Sequence, residues 1–156
     1  MSEPVFVLKV ALSGDKDVWR RIAMLGNQAL DELSWVIFCA FDRDDEHLYS
    51  FYFPKPGSKG RARIRDAAEY SHPACCEEGG LAFGSSPTDA SEATLSSLGL
   101  KPRQKFHYLF DFGDEWWHDI TVEAVDAPRE RGKYPRILEK HGKSPPQYPD
   151  YDEDDE

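Results

Sequence analysis

The sequence predicts a two-layer α+β domain: a mostly antiparallel sheet of about five strands, near the usual sheet size, with one main helix packed on it. Three observations lead there. Alternating apolar segments flank turn-forming residues near each end of the chain, which makes two hairpins. A single apolar stripe with helical spacing lies between them. The chain has 156 residues, 40% of them hydrophobic and 13% aromatic, enough for one modest core and too apolar for a disordered protein.

The elements follow in order. Val5 to Ser13 alternates Phe6, Leu8, Val10 and Leu12 on one face with Val5, Val7, Lys9 and Ala11 on the other. Both faces are largely apolar, so the strand is expected to be central. Gly14-Asp15-Lys16-Asp17 is a turn, and Val18 to Met24 returns as the hairpin partner. Asn27 to Phe41 is the strong helix, with Leu30, Leu33, Ile37, Ala40 and Phe41 as its stripe, Asn27 as its cap and Asp31 and Glu32 at its positive end. Cys39 is read as a small core residue of that helix. Leu48 to Phe53 is a third strand, with Tyr49, Phe51 and Phe53 sharing a face.

Residues 54–90 are the least regular part, bracketed by Pro and Gly, and read as a variable insertion with a short helix at Ile64 to Tyr70. Asp89 to Leu98 is a weak second helical pattern stopped by Gly99. Lys105 to Phe112 and Trp116 to Ala127 form the second hairpin around Gly113-Asp114-Glu115, and the prolines after Pro128 predict an extended wrap and no further element. The domain is assigned to residues 1–149, followed by an acidic tail over 150–156. The order resembles ubiquitin-like β-grasp topology by analogy, which carries no function.

The net charge is −10, and six of the last seven residues are acidic, which leaves −4 on the body. Such a balance argues against a nucleic-acid binder of the whole-surface basic kind. No apolar run approaches the ~18 residues of a membrane span, and no basic-then-apolar start reads as a signal peptide. The cysteines are three, Cys39 with the vicinal Cys75-Cys76, which suits no disulfide framework and points to a reducing, cytoplasmic setting. His72-x-x-Cys75-Cys76 lacks the second ligand pair that a structural zinc needs, so no metal and no cofactor is expected. Gly57-Ser58-Lys59 is not a phosphate loop, and no Gly-x-Ser-x-Gly elbow is present.

Three stretches carry a family resemblance. They are Val18-Trp19-Arg20-Arg21-Ile22 with Leu30-Asp31-Glu32-Leu33 and Ile37; Asp44-Asp45-Glu46-His47-Leu48-Tyr49-Ser50-Phe51; and Tyr108-Leu109-Phe110-Asp111-Phe112-Gly113-Asp114-Glu115-Trp116-Trp117-His118. Together they resemble the plasmid Ri ORF-3-like family, the third being similar to its Tyr-x-Tyr-Asp-Phe-Gly-Asp-x-Trp-x-His signature with Phe110 in place of the second Tyr. The resemblance covers residues 5–148, with 54–90 variable. Many members carry Cys around a Pro-Pro-Glu-Asp loop, where this chain has Ile137, Ser144 and Pro145-Pro146-Gln147-Tyr148. The resemblance implies a plasmid or mobile-element context and no established reaction.

The residues singled out are Arg20, His47, Asp111, Asp114, Trp116 and His118, with a basic loop over 55–65 that includes Lys59, Arg61, Arg63 and Arg65. Asp111-Phe112-Gly113-Asp114 is read as turn chemistry, since no other part of a kinase is present. Three functions compete. The first is a non-enzymatic binding domain whose partner is a protein or small ligand, met at the second hairpin tip. The second is a metal-assisted phosphoester hydrolase using Asp111, Asp114, His47 and His118. The third is nucleic-acid contact through the basic loop, where Arg61, Arg63 and Arg65 align if extended.

Strand parity bears on the second. A three-residue connection pairs Phe112 with Trp116 and Phe110 with His118, which turns His118 toward the helix and Asp111 away from it. The tail 152–156 has no apolar residue to bury. Deleting it should leave Tm nearly unchanged in a thermal melt, and a large drop would mean that it docks on the body.

Overall fold

The computed structural model describes residues 3–43, 45–74 and 88–145. Cys75-Cys76 and the acidic tail lie outside these residues. β1 (Val5–Leu12) and β2 (Trp19–Leu25) form the first hairpin, in a register from Val5 opposite Leu25 to Ala11 opposite Trp19. Phe6, Leu8, Val10 and Leu12 are buried toward the helix layer, as the alternation of β1 requires.

α1 (Leu30–Ala40) crosses that face. Leu30, Leu33 and Ile37 have no exposed surface, and Ser34, Val36 and Ala40 are buried with them. Two details differ from expectation. The helix starts after Ala29, with Glu32 Oε2 accepting the Ala29 N–H at 3.2 Å. Asn27 is left outside as an exposed residue, because Leu30 N–H already finds the Ala93 carbonyl at 3.0 Å. Cys39 is exposed and unpaired: it falls on the helix face opposite the stripe.

β3 (Tyr49–Phe53) follows. The insertion then contributes α2 (Ala62–Arg65), β4 (Ala68–Ser71) and the two-residue β5 (Thr88–Asp89). Residues 66–70 thus leave the expected helix, and Tyr70 sits on a strand opposite Phe51. Asp89 to Leu98 holds only two short 3-10 turns, and Gly99 ends the second at φ 65. β6 (Lys105–Phe110) and β7 (Trp116–Ala127) make the second hairpin, and β8 (Arg136–His141) pairs with β2.

Among the described residues the sheet therefore has eight strands in the order β5-β4-β3-β6-β7-β1-β2-β8, not about five. It is mixed, since β4 and β5 run parallel and the other pairs antiparallel. The five central strands are those that the alternation marks, and the three additions lie at the edges. There the strands are short or charged: β4 buries Ser71 alone, and Glu139, Lys140 and His141 of β8 are exposed. The β-grasp analogy fails as well, because β1 sits between β2 and β7 and is antiparallel to both.

The connection in the second hairpin is also longer than expected. Phe110 lies opposite Trp116 and Tyr108 opposite His118, a slip of two residues that keeps the facing and changes the partners. Phe112 accordingly leaves the strand and is 41% exposed. Leu33→Ala or Ile37→Ala should cost about 2–5 kcal/mol in urea unfolding, the range for truncating a buried aliphatic side chain. A loss below about half a kcal/mol would contradict the packing of α1 on the sheet.

Candidate functional site

The signature residues gather where α1 ends over the second hairpin. A helix C-terminus leaves carbonyls without partners, and here arginine and serine side chains supply them. Arg20, on the core face of β2 and 2% exposed, donates from Nε to the Ala40 carbonyl at 2.8 Å. Its Nη1 reaches the carbonyls of Trp19 and His141 at 2.8 and 2.9 Å. Ser144 Oγ donates to the Phe41 carbonyl at 2.8 Å. Burial lowers the Arg20 pKa, with Asp42 opposing the shift. Arg20 is therefore committed to carbonyls, and its neighbour Arg21 pairs with Glu123 and Glu139 on the opposite sheet face.

Arg43 is the less expected member. Its guanidinium is buried and pairs with no carboxylate among the described residues: the residue is 6% exposed, and the ring centroids of Trp116, Phe110 and Phe41 lie 5.0, 5.1 and 5.4 Å from Cζ. Nη2 lies 2.9 Å from His118 Nε2. Nε and Nη1 have no hydrogen-bond partner among the described residues, so ring faces supply the negative potential around the cation. Burial lowers the Arg43 pKa to about 10, which keeps it charged at neutral pH.

That cation fixes the state of His118. The imidazole has no exposed surface and packs at 5.2 Å on Phe41 and 5.1 Å on Tyr108. Burial first, and the Arg43 charge second, lower its pKa to about 3. The ring is neutral, so one nitrogen donates and the other accepts. Arg43 has only donors, which makes Nε2 the acceptor and leaves Nδ1–H to donate to the Tyr108 carbonyl at 3.2 Å. The Tyr108 phenol is bonded to Ser34 of α1 at 2.6 Å, and burial pushes its pKa well up.

Asp111 closes the hairpin turn. It has φ 68, and Oδ1 accepts the N–H groups of Gly113 and Asp114 at 3.1 and 3.3 Å. Glu115 takes φ 55, so Asp111 and Glu115 hold the left-handed positions and Gly113 does not. Asp111 Oδ2 lies 3.5 Å from His47 Nε2. Asp114 is exposed at the tip, and Trp116 is half-buried beside Arg43.

The structure thus brings His47 to Asp111 and Trp116 to His118's partner Arg43. It does not assemble Asp111, Asp114, His47 and His118 around an ion, and no group of three His, Cys, Asp or Glu able to hold a metal occurs among the described residues. The basic stretch is not extended either. Arg61 is the N-cap of α2, so the helical turn separates Arg63 from Arg61 and Arg65, and Arg65 pairs with Asp66. Lys59 lies exposed before it.

Two features escaped the sequence. Arg43, inside the acidic run after the helix, had no signal but its place one turn beyond the stripe. His107 and Asp119 pair on the second sheet face at 2.9 Å, with Ser13 Oγ at 3.0 Å and Lys16 Nζ at 3.1 Å also on the carboxylate. Burial alone would raise the Asp119 pKa, but these partners more than offset it and hold it below the usual range. Equal parity in β6 and β7 was the available clue.

A pH test follows from His118. Unfolded, it takes up a proton near pH 6.5; folded, it does so only near 3. Between these values the unfolded state binds the extra proton, so stability falls as pH falls, by up to ~1.4 kcal/mol per pH unit. Above pH 6.5 this contribution is constant. Urea unfolding of the wild type from about pH 7 to about pH 4 should show a slope about one proton steeper than that of His118→Gln. Equal slopes would refute the neutral imidazole.

Comparison with known proteins gives relatives, a shared fold and a family. An uncharacterized protein of Sinorhizobium fredii, y4hQ, is 32% identical over 149 residues, which are 94% of this chain and 67% of the relative. The crystal structure of MM3350 from Methanosarcina mazei Go1, a protein of unknown function, superposes with a TM-score of 0.69 at 24% identity, covering 94% of this chain and 74% of that one, and so shares the fold. The model of the plasmid pRiA4b ORF-3-like proteins matches residues 4–149, which takes in the Arg20 cap, the Arg43 cage and the whole second hairpin, and the chain belongs to that family.

Proposed function

We propose that this chain is a non-enzymatic binding module that takes a basic, partly apolar protein segment in the groove between its two hairpin tips. The observation that carries the reading is the use made of the signature. Its polar groups are spent on the fold: Asp111 on turn N–H groups and His47, His118 on Arg43 and the Tyr108 carbonyl. A neutral, fully buried imidazole with both nitrogens engaged is a poor general base or ligand.

The groove beside it is open. It holds about 450 Å³ and is lined by Leu12, Asp15, Asp114, Glu115, Trp116 and Trp117 among others. That volume is within the ~300–1,000 Å³ of binding pockets. Two indoles offer apolar area at low entropic cost, and three carboxylates select for cationic side chains. No helix among the described residues is long and apolar enough to cross a membrane. The cytoplasm, and an accessory role in plasmid or mobile-element biology, suit the unpaired cysteine and the family.

Tryptophan fluorescence titrated with short Lys/Leu/Phe peptides tests this. Saturable quenching should weaken about tenfold in Asp114→Lys/Glu115→Lys, and acidic peptides of equal length should not bind. Two outcomes would replace the reading. One is metal-dependent turnover of bis(p-nitrophenyl) phosphate abolished by Asp111→Asn, which restores the hydrolase. The other is salt-sensitive retention of an oligonucleotide lost on Arg61→Ala/Arg63→Ala, which restores the basic loop.

A further inference from the structure

A second hollow, sharing no lining residue with the hairpin-tip groove, lies between α1 and β3. We infer that it is a site for a quaternary ammonium head group.

The walls are aromatic. Trp35 and Phe38 come from α1, Tyr49 from β3 and Phe110 from β6. Asp31 and Glu46 add two carboxylates to the lining and His47 and His72 two imidazoles, and no Lys or Arg takes part in it. Each feature points to the same ligand class. The face of an aromatic ring is negative and attracts a weakly hydrated cation. Carboxylates reinforce that attraction and repel phosphate or carboxylate ligands. A hard metal ion is poorly served, since no group of three suitable ligands exists among the described residues.

Size narrows the class. The hollow holds about 250 Å³, below the ~300–1,000 Å³ of sites for drug-sized ligands. A trimethylammonium group, free or at the end of a longer molecule, fits inside that space, and the two carboxylates disfavour a nucleotide's phosphates.

The wall is also set in advance. Trp35 is 54% exposed, and its ring stacks on Phe38 at 5.2 Å and 14°. Phe38 in turn meets Phe110 edge-on at 6.0 Å. A large apolar ring held at the mouth of a hollow loses little entropy when a ligand arrives.

One term opposes binding. Arg43 lies behind Phe110, with Cζ 5.1 Å from the ring centroid, and repels a second cation. Asp31 and Glu46 must offset it, so they should matter more here than in a cage with no cation at its back.

The test compares choline with its neutral isostere, 3,3-dimethylbutan-1-ol, on the full chain. Binding is followed by the NMR indole signal of Trp35, assigned through Trp35→Phe. Choline should saturate the shift, and the isostere should bind about tenfold more weakly. Asp31→Asn/Glu46→Gln should cost choline about tenfold, and Trp35→Ala should abolish binding. Unchanged thermal melts certify the fold of these surface variants. A peptide carrying trimethyl-lysine decides the source: tighter binding than choline assigns a protein side chain, equal or weaker binding a free head group. Equal affinity for choline and the isostere, or no saturation by choline, overturns the site. Neither result bears on the groove, whose residues are untouched.

Discussion

A buried guanidinium that pairs with no carboxylate among the described residues must draw its stabilisation from elsewhere, and Arg43 draws it from three ring faces and one imidazole nitrogen. The requirement spreads outward. His118 must stay neutral to accept from Arg43, so its other nitrogen must donate, and the Tyr108 carbonyl is placed to receive it. Tyr108 then ties the sheet to α1 through Ser34. Helix end, β6 and β7 are held in one mutual position by groups none of which is satisfied alone. Networks of this kind add little net stability and specify a unique packing.

Arg20 does complementary work on β2, two strands from β7. It caps α1 from below and fastens β2 to the β8 edge through the His141 carbonyl. Arg20 and Ser144 thus take the place of the glycine or exposed lysine that commonly finishes a helix. Residues with the look of an active site, arginines and a histidine beside an Asp-Phe-Gly-Asp turn, hold hydrogen bonds within the fold.

The central sheet and the helix stripe were legible because burial on one face imposes a period on the residues: 2 along β1, β6 and β7, and 3.6 along α1. Legibility ended where that constraint relaxes. The edge strands β4, β5 and β8 bury few side chains, so their sequences read as loop. Parity in the second hairpin fixed which face His118 takes, but parity is blind to a shift of two, and the left-handed Asp111 and Glu115 lengthened the turn by that amount. The helix start moved because a distant partner, the Ala93 carbonyl, outweighed the local cap Asn27. Of the candidate site, the identity of the signature residues was visible. Their partner Arg43 was not, since a lone arginine in an acidic run resembles a solvated helix end.

The pairing of β1 with β7 has a temporal meaning. Leu12 lies opposite His118 and Val5 opposite Ala127, so the first strand made waits for more than a hundred residues of chain before its second neighbour exists. At ribosomal rates of ~5–20 residues per second, that interval is roughly 5–20 s. Through it the nascent first hairpin offers one open, strongly apolar edge and α1 has half a sheet to cover. The apolar edge of β1 is therefore covered late, once β7 has been made, which is the order of events that a sheet of such high sequence separation imposes.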